Sequence, residues 1–383
     1  FQAEDGIRDE CTSLVGSDMC IRDSPTAEDT LLSSLRLNPQ NIPLLEALGR
    51  LYVITEDFAR ARQVEDTARR TGTSAGRRLA DTLRVEVVSR QNGPAATISL
   101  LQSLTEGESN RALAARLELV RVHLTAGENA AAVETVEQLV AENPDNEALK
   151  YARAATYAGV GELDKAIAGY RELLQANPGS GRIWLDLSRV LAASGDPDGA
   201  QQAIRDGLVQ VPEDLNLMWA DASNLERQGD IDGAIATYEK MYGIRSNSNV
   251  IANNLASLLV TWRTDDESVE RAYTIARRLR GTQVPAFQDT YGWILHRRGD
   301  YEEALSYLED AAEGLGDDPI VQYHLAMNYL ELGRDADALA QFLKAAEVAG
   351  PADTRPQIET ARSEIQRLQA EAEAARAESE NSE

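Results

Sequence analysis

The sequence predicts an all-α fold, an α-α superhelical solenoid of helix-turn-helix repeats, and three observations predict it. From Leu113 onward, Gly127, Gly161, Gly195 and Gly229 stand 34 residues apart, each five residues before an alanine: Ala132, Ala166, Ala200 and Ala234. Pro144, Pro178 and Pro212 follow the first three of those alanines by twelve residues. The composition is helical: Ala, Leu, Glu, Arg and Gln dominate, aromatics are only 5%, and no apolar run of about 18 residues could span a membrane.

Each recurring residue has a physical task. Glycine closes a first helix in the left-handed conformation that other residues reach only with strain. Alanine sits where two helices cross closely, and a larger side chain would push them apart. Proline ends the second helix, because it lacks an N–H and clashes with the preceding turn. After a net insertion of two residues the beat returns as Gly299 with Ala304 and Gly333 with Ala338.

The spacing has a known counterpart. Leu45, Leu48, Gly49, Tyr52 and Ala61, then Trp184, Leu187, Leu191, Ala200 and Pro212, then Leu325, Ala326, Tyr329, Ala338 and Phe342 resemble the tetratricopeptide signature. The resemblance covers nearly all of the chain after residue 25. It implies helix-turn-helix repeats of the tetratricopeptide kind.

In chain order, residues 1–24 are read as a non-native segment. They resemble peptides translated from sequencing-adapter contamination, in the pieces QAEDGIRD and MCIRDS. Residues 25–41 are read as the second helix of a truncated repeat, on Ala27, Leu31 and Pro39, so the natural protein is expected to extend further toward its N-terminus. Residues 42–352 make nine repeats, starting near 42, 77, 113, 147, 181, 215, 249, 285 and 319, with Arg77 to Ala112 the weakest match. Residues 353–370 form a capping helix, with Ile358, Ile365 and Leu368 as its apolar seam, because every solenoid must cover its last repeat. Residues 371–383 read as an acidic tail, frayed or disordered.

Charge and composition exclude several function classes. A formal net charge of −25 argues against a nucleic-acid partner, which needs a concentrated Lys/Arg surface. Basic or apolar protein segments are the expected partners, although the acid also keeps a long exposed stack soluble. Both cysteines, Cys11 and Cys20, fall in the first 24 residues, so the remainder offers no disulfide, zinc thiolate or cysteine nucleophile. His123, His296 and His324 show no metal-ligand spacing and read as packing or surface residues. Gly159 and Gly161 fall in a hairpin turn with no strand before them, which leaves no dinucleotide-binding reading. No catalytic residue, metal or cofactor is expected, and the chain reads as no enzyme.

The tetratricopeptide resemblance implies that first helices line a concave groove, with residues one period apart stacked along it. Tyr151, Trp219, Asn253, Asp289 and Tyr323 fall on one such rung, and Arg189 and Trp293 on a second four residues further along each repeat. Large aromatics beside a few polar groups suit peptide recognition. Packing between neighbouring repeats is the competing reading of Trp219 and Trp293. Asn253-Asn254-Leu255-Ala256 resembles the stretch in which asparagine holds an extended peptide, a task suited to an amide that donates and accepts. One repeat of nine has the pair, so a bond from Asn254 to the adjacent repeat is the expectation.

Residues 249–350, with DTYGWILHRRGDYEEAL and YHLAMNYLELGR, resemble the C-terminal part of bacterial tetratricopeptide proteins linked to exopolysaccharide production and exported-protein sorting. That resemblance implies an exported, periplasmic or membrane-anchored setting rather than a cytoplasmic one. Three functions fit: a scaffold for partner segments, the repeat arm of a larger protein with an upstream domain, and a structural spacer.

Overall fold

The computed structural model describes residues 24–105, 109–263 and 265–381. The segment read as non-native thus falls almost wholly outside the described residues. The chain divides into two compact units, the first ending at Pro212 and the second beginning at Glu213.

In the first unit, α1 (Ser24–Leu37) precedes the hairpins α2 (Ile42–Ile54) with α3 (Phe58–Arg70), α5 (Ser109–Thr125) with α6 (Asn129–Glu142), α7 (Glu147–Gly159) with α8 (Leu163–Ala176), and α9 (Gly181–Ala193) with α10 (Pro197–Gln210). Between the first two of these hairpins lies α4 (Ser74–Leu104), which is broken at Gly93, φ 76°, just before Pro94. The weakly matching second repeat is therefore a hairpin folded at a Gly-Pro break, where a glycine turn stands elsewhere.

The second unit contains α11 (Leu215–Gln228) with α12 (Ile231–Ile244), α13 (Asn249–Trp262) with α14 (Asp266–Ala276), α15 (Pro285–Arg298) with α16 (Tyr301–Gly314), and α17 (Pro319–Glu331) with α18 (Asp335–Ala349). The last helix, α19 (Pro356–Asn381), packs on α18 and α17 and continues into the segment read as the tail. Ile358, Ala361 and Leu368 are its buried seam.

Local chemistry sets these boundaries. Asn41, Asn146, Asp214, Ser248 and Asp318 cap first helices by accepting a backbone N–H of the first turn. Gly127, Gly161, Gly195, Gly229, Gly299 and Gly333 close the turns inside hairpins with φ between 69° and 86°. The first hairpin puts Glu56 at that place, the one described non-glycine residue with positive φ, 59°. Helices cross on small residues: Ala61, Ala132, Ala166, Ala234, Ala304 and Ala338 are all fully buried. A side chain added at Gly292 would come within 2.8 Å of Leu308, which shows how close α15 and α16 approach.

Neighbouring hairpins are joined by a tyrosine that recurs at one place in the period. The Tyr52 hydroxyl donates to Glu28 Oε1 at 2.9 Å, Tyr329 donates to Glu309 Oε1 at 2.8 Å, and Tyr157 donates to Glu137, each acid lying on the helix just before the tyrosine's own. A cation covers each ring, with Arg60, Arg334 and Lys165 at 4.5, 4.4 and 4.9 Å from the centroids.

Candidate functional site

The residues proposed to face a groove fall on the first helices of both units, Tyr151 and Arg189 in the first and the other six in the second. On α7, the half-buried Tyr151 donates its hydroxyl to Asp186 Oδ2 at 2.6 Å, and the Arg182 guanidinium lies 4.8 Å from its ring centroid. Burial and the Asp186 carboxylate both hold the Tyr151 phenol above its ordinary value. Arg189 reaches the other oxygen of Asp186 at 3.2 Å while staying largely exposed. One acid on α9 thus organises a tyrosine of α7 and two arginines of its own helix.

In the second unit Trp219 on α11 is 7% exposed and meets Tyr238 edge-on, with centroids 5.7 Å apart. The Tyr238 hydroxyl donates to Glu226 Oε1 at 3.0 Å and accepts from Asn254 Nδ2 at 3.2 Å. Asn254 therefore makes a bond to the preceding hairpin. Burial raises the Glu226 carboxyl, and the Tyr238 hydroxyl partly offsets that rise. Asn253 donates to Asn254 Oδ1 at 3.3 Å, and its own Oδ1 is buried without a partner.

Trp293 is the centre of the densest arrangement. Its indole lies between two near-parallel imidazoles, His296 on the same helix at 4.6 Å and His324 on α17 at 4.1 Å between centroids. Asp289 Oδ1 lies 2.9 Å from His324 Nδ1, so the carboxylate holds that ring with its proton on Nδ1. Asn328 donates Nδ2 to the Tyr301 carbonyl at 3.0 Å, which leaves its Oδ1 to accept from His296 Nδ1 at 3.2 Å. Burial pushes His296 down to about 4, against the pull of Asn328, with the neighbouring His324 and Arg297 adding to the fall. Tyr323, 8% exposed, packs on Phe342 and beside Trp293.

A cleft of about 210 Å³ opens beside this stack, lined by Thr261, Trp293, Tyr323, His324, Pro356, Gln357 and Thr360. The geometry brings together Trp293, Tyr323 and Asp289, and leaves Tyr151 with Arg189, and Trp219 with Asn254, as separate groups. Trp219, Trp293 and Tyr323 are each at least nine-tenths buried, so packing takes most of their surface. Reasoning from sequence missed His296, His324 and Tyr238 as partners of the rung residues. The signal was there for the histidines: His296 follows Trp293 by three residues, one helical turn, and His324 adjoins Tyr323. Among the described residues no three His, Cys, Asp or Glu side chains converge as metal ligands, and no helix is long and apolar enough to cross a membrane.

Tandem helical hairpins whose conserved-length turns and small crossing residues repeat in register define a helical-repeat protein. The chain carries tetratricopeptide repeats: models of that family match residues 117–181, 157–220 and 291–354. Repeats of this family generally mediate protein–protein interaction. The chain is similar to TPR repeat-containing protein PA4667 of Pseudomonas aeruginosa, 28% identical over 145 residues, which is 37% of this chain and 24% of that protein. The match thus spans about a quarter of the relative's length. Among solved structures, the C-terminal part of a TPR repeat-containing protein from Cytophaga hutchinsonii is 14% identical, with TM-score 0.44, over 65% of this chain and 99% of that one. The pilF protein of Pseudomonas aeruginosa is 16% identical, with TM-score 0.43, over 59% of this chain and 97% of the other.

Proposed function

We propose that the chain is a non-enzymatic scaffold that seats a segment of a partner protein in the cleft between α13, α15, α17 and the start of α19. The observation that carries this reading is the cleft itself, where Trp293, Tyr323 and His324 offer aromatic surface already held rigid by stacking. Binding to a preorganised aromatic wall loses little side-chain entropy. The acidic surface, net −25, supports a basic partner, drawn in by long-range attraction that weakens as salt rises. The same reading sets the scaffold at a bacterial envelope, in an exopolysaccharide or export system, supported by the phrases of residues 249–350 and tested by cell fractionation, where recovery in the cytosol alone would overturn that part.

Thr360 is exposed and lines the cleft, so Thr360→Trp fills it from outside without disturbing the core. A partner captured by the parent chain is expected to bind at least about tenfold more weakly to this variant, as for an anchor denied its pocket. Helicity and melting should stay unchanged. Capture at parental strength would overturn the reading.

A further inference from the structure

The seven residues around the cleft include no Asp, Glu, Lys or Arg, in a chain where those four make up 26% of residues. A charged group entering there would lose its water without gaining a counter-charge from the lining. The lining is nevertheless polar. Trp293 and His324 are 9% and 5% exposed, and both line the cleft. Among the described residues no group bonds the Trp293 indole N–H or His324 Nε2. Neither atom is shut away, since the atoms enclosed without a partner are Asn253 Oδ1 and Tyr291 Oη. Both side chains, with this small remaining exposure, belong to the wall of the cleft.

Their chemistry is complementary. Asp289 Oδ1 accepts from His324 Nδ1, so an imidazole carrying that one proton has its lone pair at Nε2 and accepts there. The indole N–H can only donate. The two rings lie near-parallel, 14° apart with centroids at 4.1 Å, so a ring that carries a donor is stacked on a ring that carries an acceptor, and both line the cleft. A primary carboxamide, which donates through its nitrogen and accepts through its oxygen, satisfies both at once. Thr261, Gln357 and Thr360 supply further uncharged hydrogen-bonding groups around it.

We infer that the cleft is a carboxamide-reading pocket, which takes a glutamine or asparagine side chain of the partner segment between the indole N–H of Trp293 and Nε2 of His324. Asp289 is then a positioning residue, fixing the tautomer that makes His324 an acceptor. This deepens the scaffold reading and rests on it only for the ligand being part of a protein; the pocket's selectivity can be measured without any partner.

The test titrates the full chain, labelled with nitrogen-15, with N-acetylglutamine amide, N-acetylglutamate amide and N-acetyl-lysine amide, following the indole N–H signals. The glutamine probe is expected to move the Trp293 signal, with an affinity at least about tenfold above either charged probe, since a site built for a hydrogen-bonding group rejects mismatched ones strongly. His324→Phe keeps a ring on the indole and removes the acceptor, and should abolish that preference; Thr360→Trp, which leaves the stack intact, should abolish binding of all three. Equal binding of the three probes, or no shift with the glutamine probe at concentrations of tens of millimolar, would overturn the inference. Probe binding with no Thr360→Trp effect on partner capture would instead sink the scaffold reading and leave the pocket standing.

Discussion

Lowering the pH from 7 to 5 is expected to destabilise the hairpins of α15 to α18 by about 2 kcal/mol through His296 alone. This imidazole is 7% exposed and lies between Trp293 and Tyr301, so protonation puts a charge where water cannot reach it. Its folded value falls from the ordinary 6.5 to about 4, chiefly through that burial. A base lowered on folding binds more protons when unfolded, so its contribution is complete above 6.5 and is lost as the pH falls toward 4. At about 1.4 kcal/mol per pH unit the whole shift amounts to about 3 kcal/mol, of which about two thirds is gone by pH 5. Repeat arrays need not unfold in one step, so hydrogen exchange of the α15 and α17 amides is the suitable local readout. The burial-raised carboxyls of Glu86 and Glu226 act in the opposite direction, gaining stability as they take up protons. The variant His296→Gln separates the terms, because only the histidine contribution vanishes from its slope. An imidazole of His296 titrating near 6.5 by NMR, or an unchanged slope in the variant, would refute the reasoning.

Two further outcomes follow from packing and backbone. Ala304→Leu should destabilise by about 1–3 kcal/mol, because Ala304 is fully buried at a helix crossing with no spare room, while Ala200→Leu should cost less at a site 7% exposed to solvent; denaturant melts of both variants check the order, and parental stability for both would show the crossing is misplaced. Glu56→Gly should stabilise the first hairpin by about 1 kcal/mol, since glycine relieves the left-handed strain at φ 59°. A loss of stability in that variant would mean the Glu56 side chain contributes more than its backbone costs.

The fold was legible because each periodic residue answers a local geometric need. Gly127 and its equivalents must turn left-handed, and Ala132 and its equivalents must fit a crossing, so their spacing alone implies hairpins. The hairpin around Gly93 was hard to read because, although Gly93 turns with φ 76° 34 residues before Gly127, Pro94 follows it and Ile98 stands where the crossing alanine falls elsewhere. The candidate site was legible in position and less so in exposure. Trp219 and Trp293 occupy the expected first-helix rungs, but how far a side chain is covered depends on what the next helix lays over it, and Tyr238 and His324 come from other helices. The histidines read only as packing or surface residues, because their pairing needs Asp289 and Asn328, which lie 35 and 32 residues away in sequence.

The tyrosine that bonds back to the preceding helix is present at Tyr52, Tyr157 and Tyr329, while leucine holds the same place at Leu191, Leu225, Leu259 and Leu295. A hydrogen bond has a preferred direction and length, whereas an apolar contact keeps most of its energy as surfaces slide. Under a pulling or twisting load, the leucine junctions are the compliant ones and the tyrosine junctions resist shear. Stiffness is therefore distributed unevenly within each unit, with Tyr52 and Tyr157 preceding Leu191 in the first and Leu225, Leu259 and Leu295 preceding Tyr329 in the second.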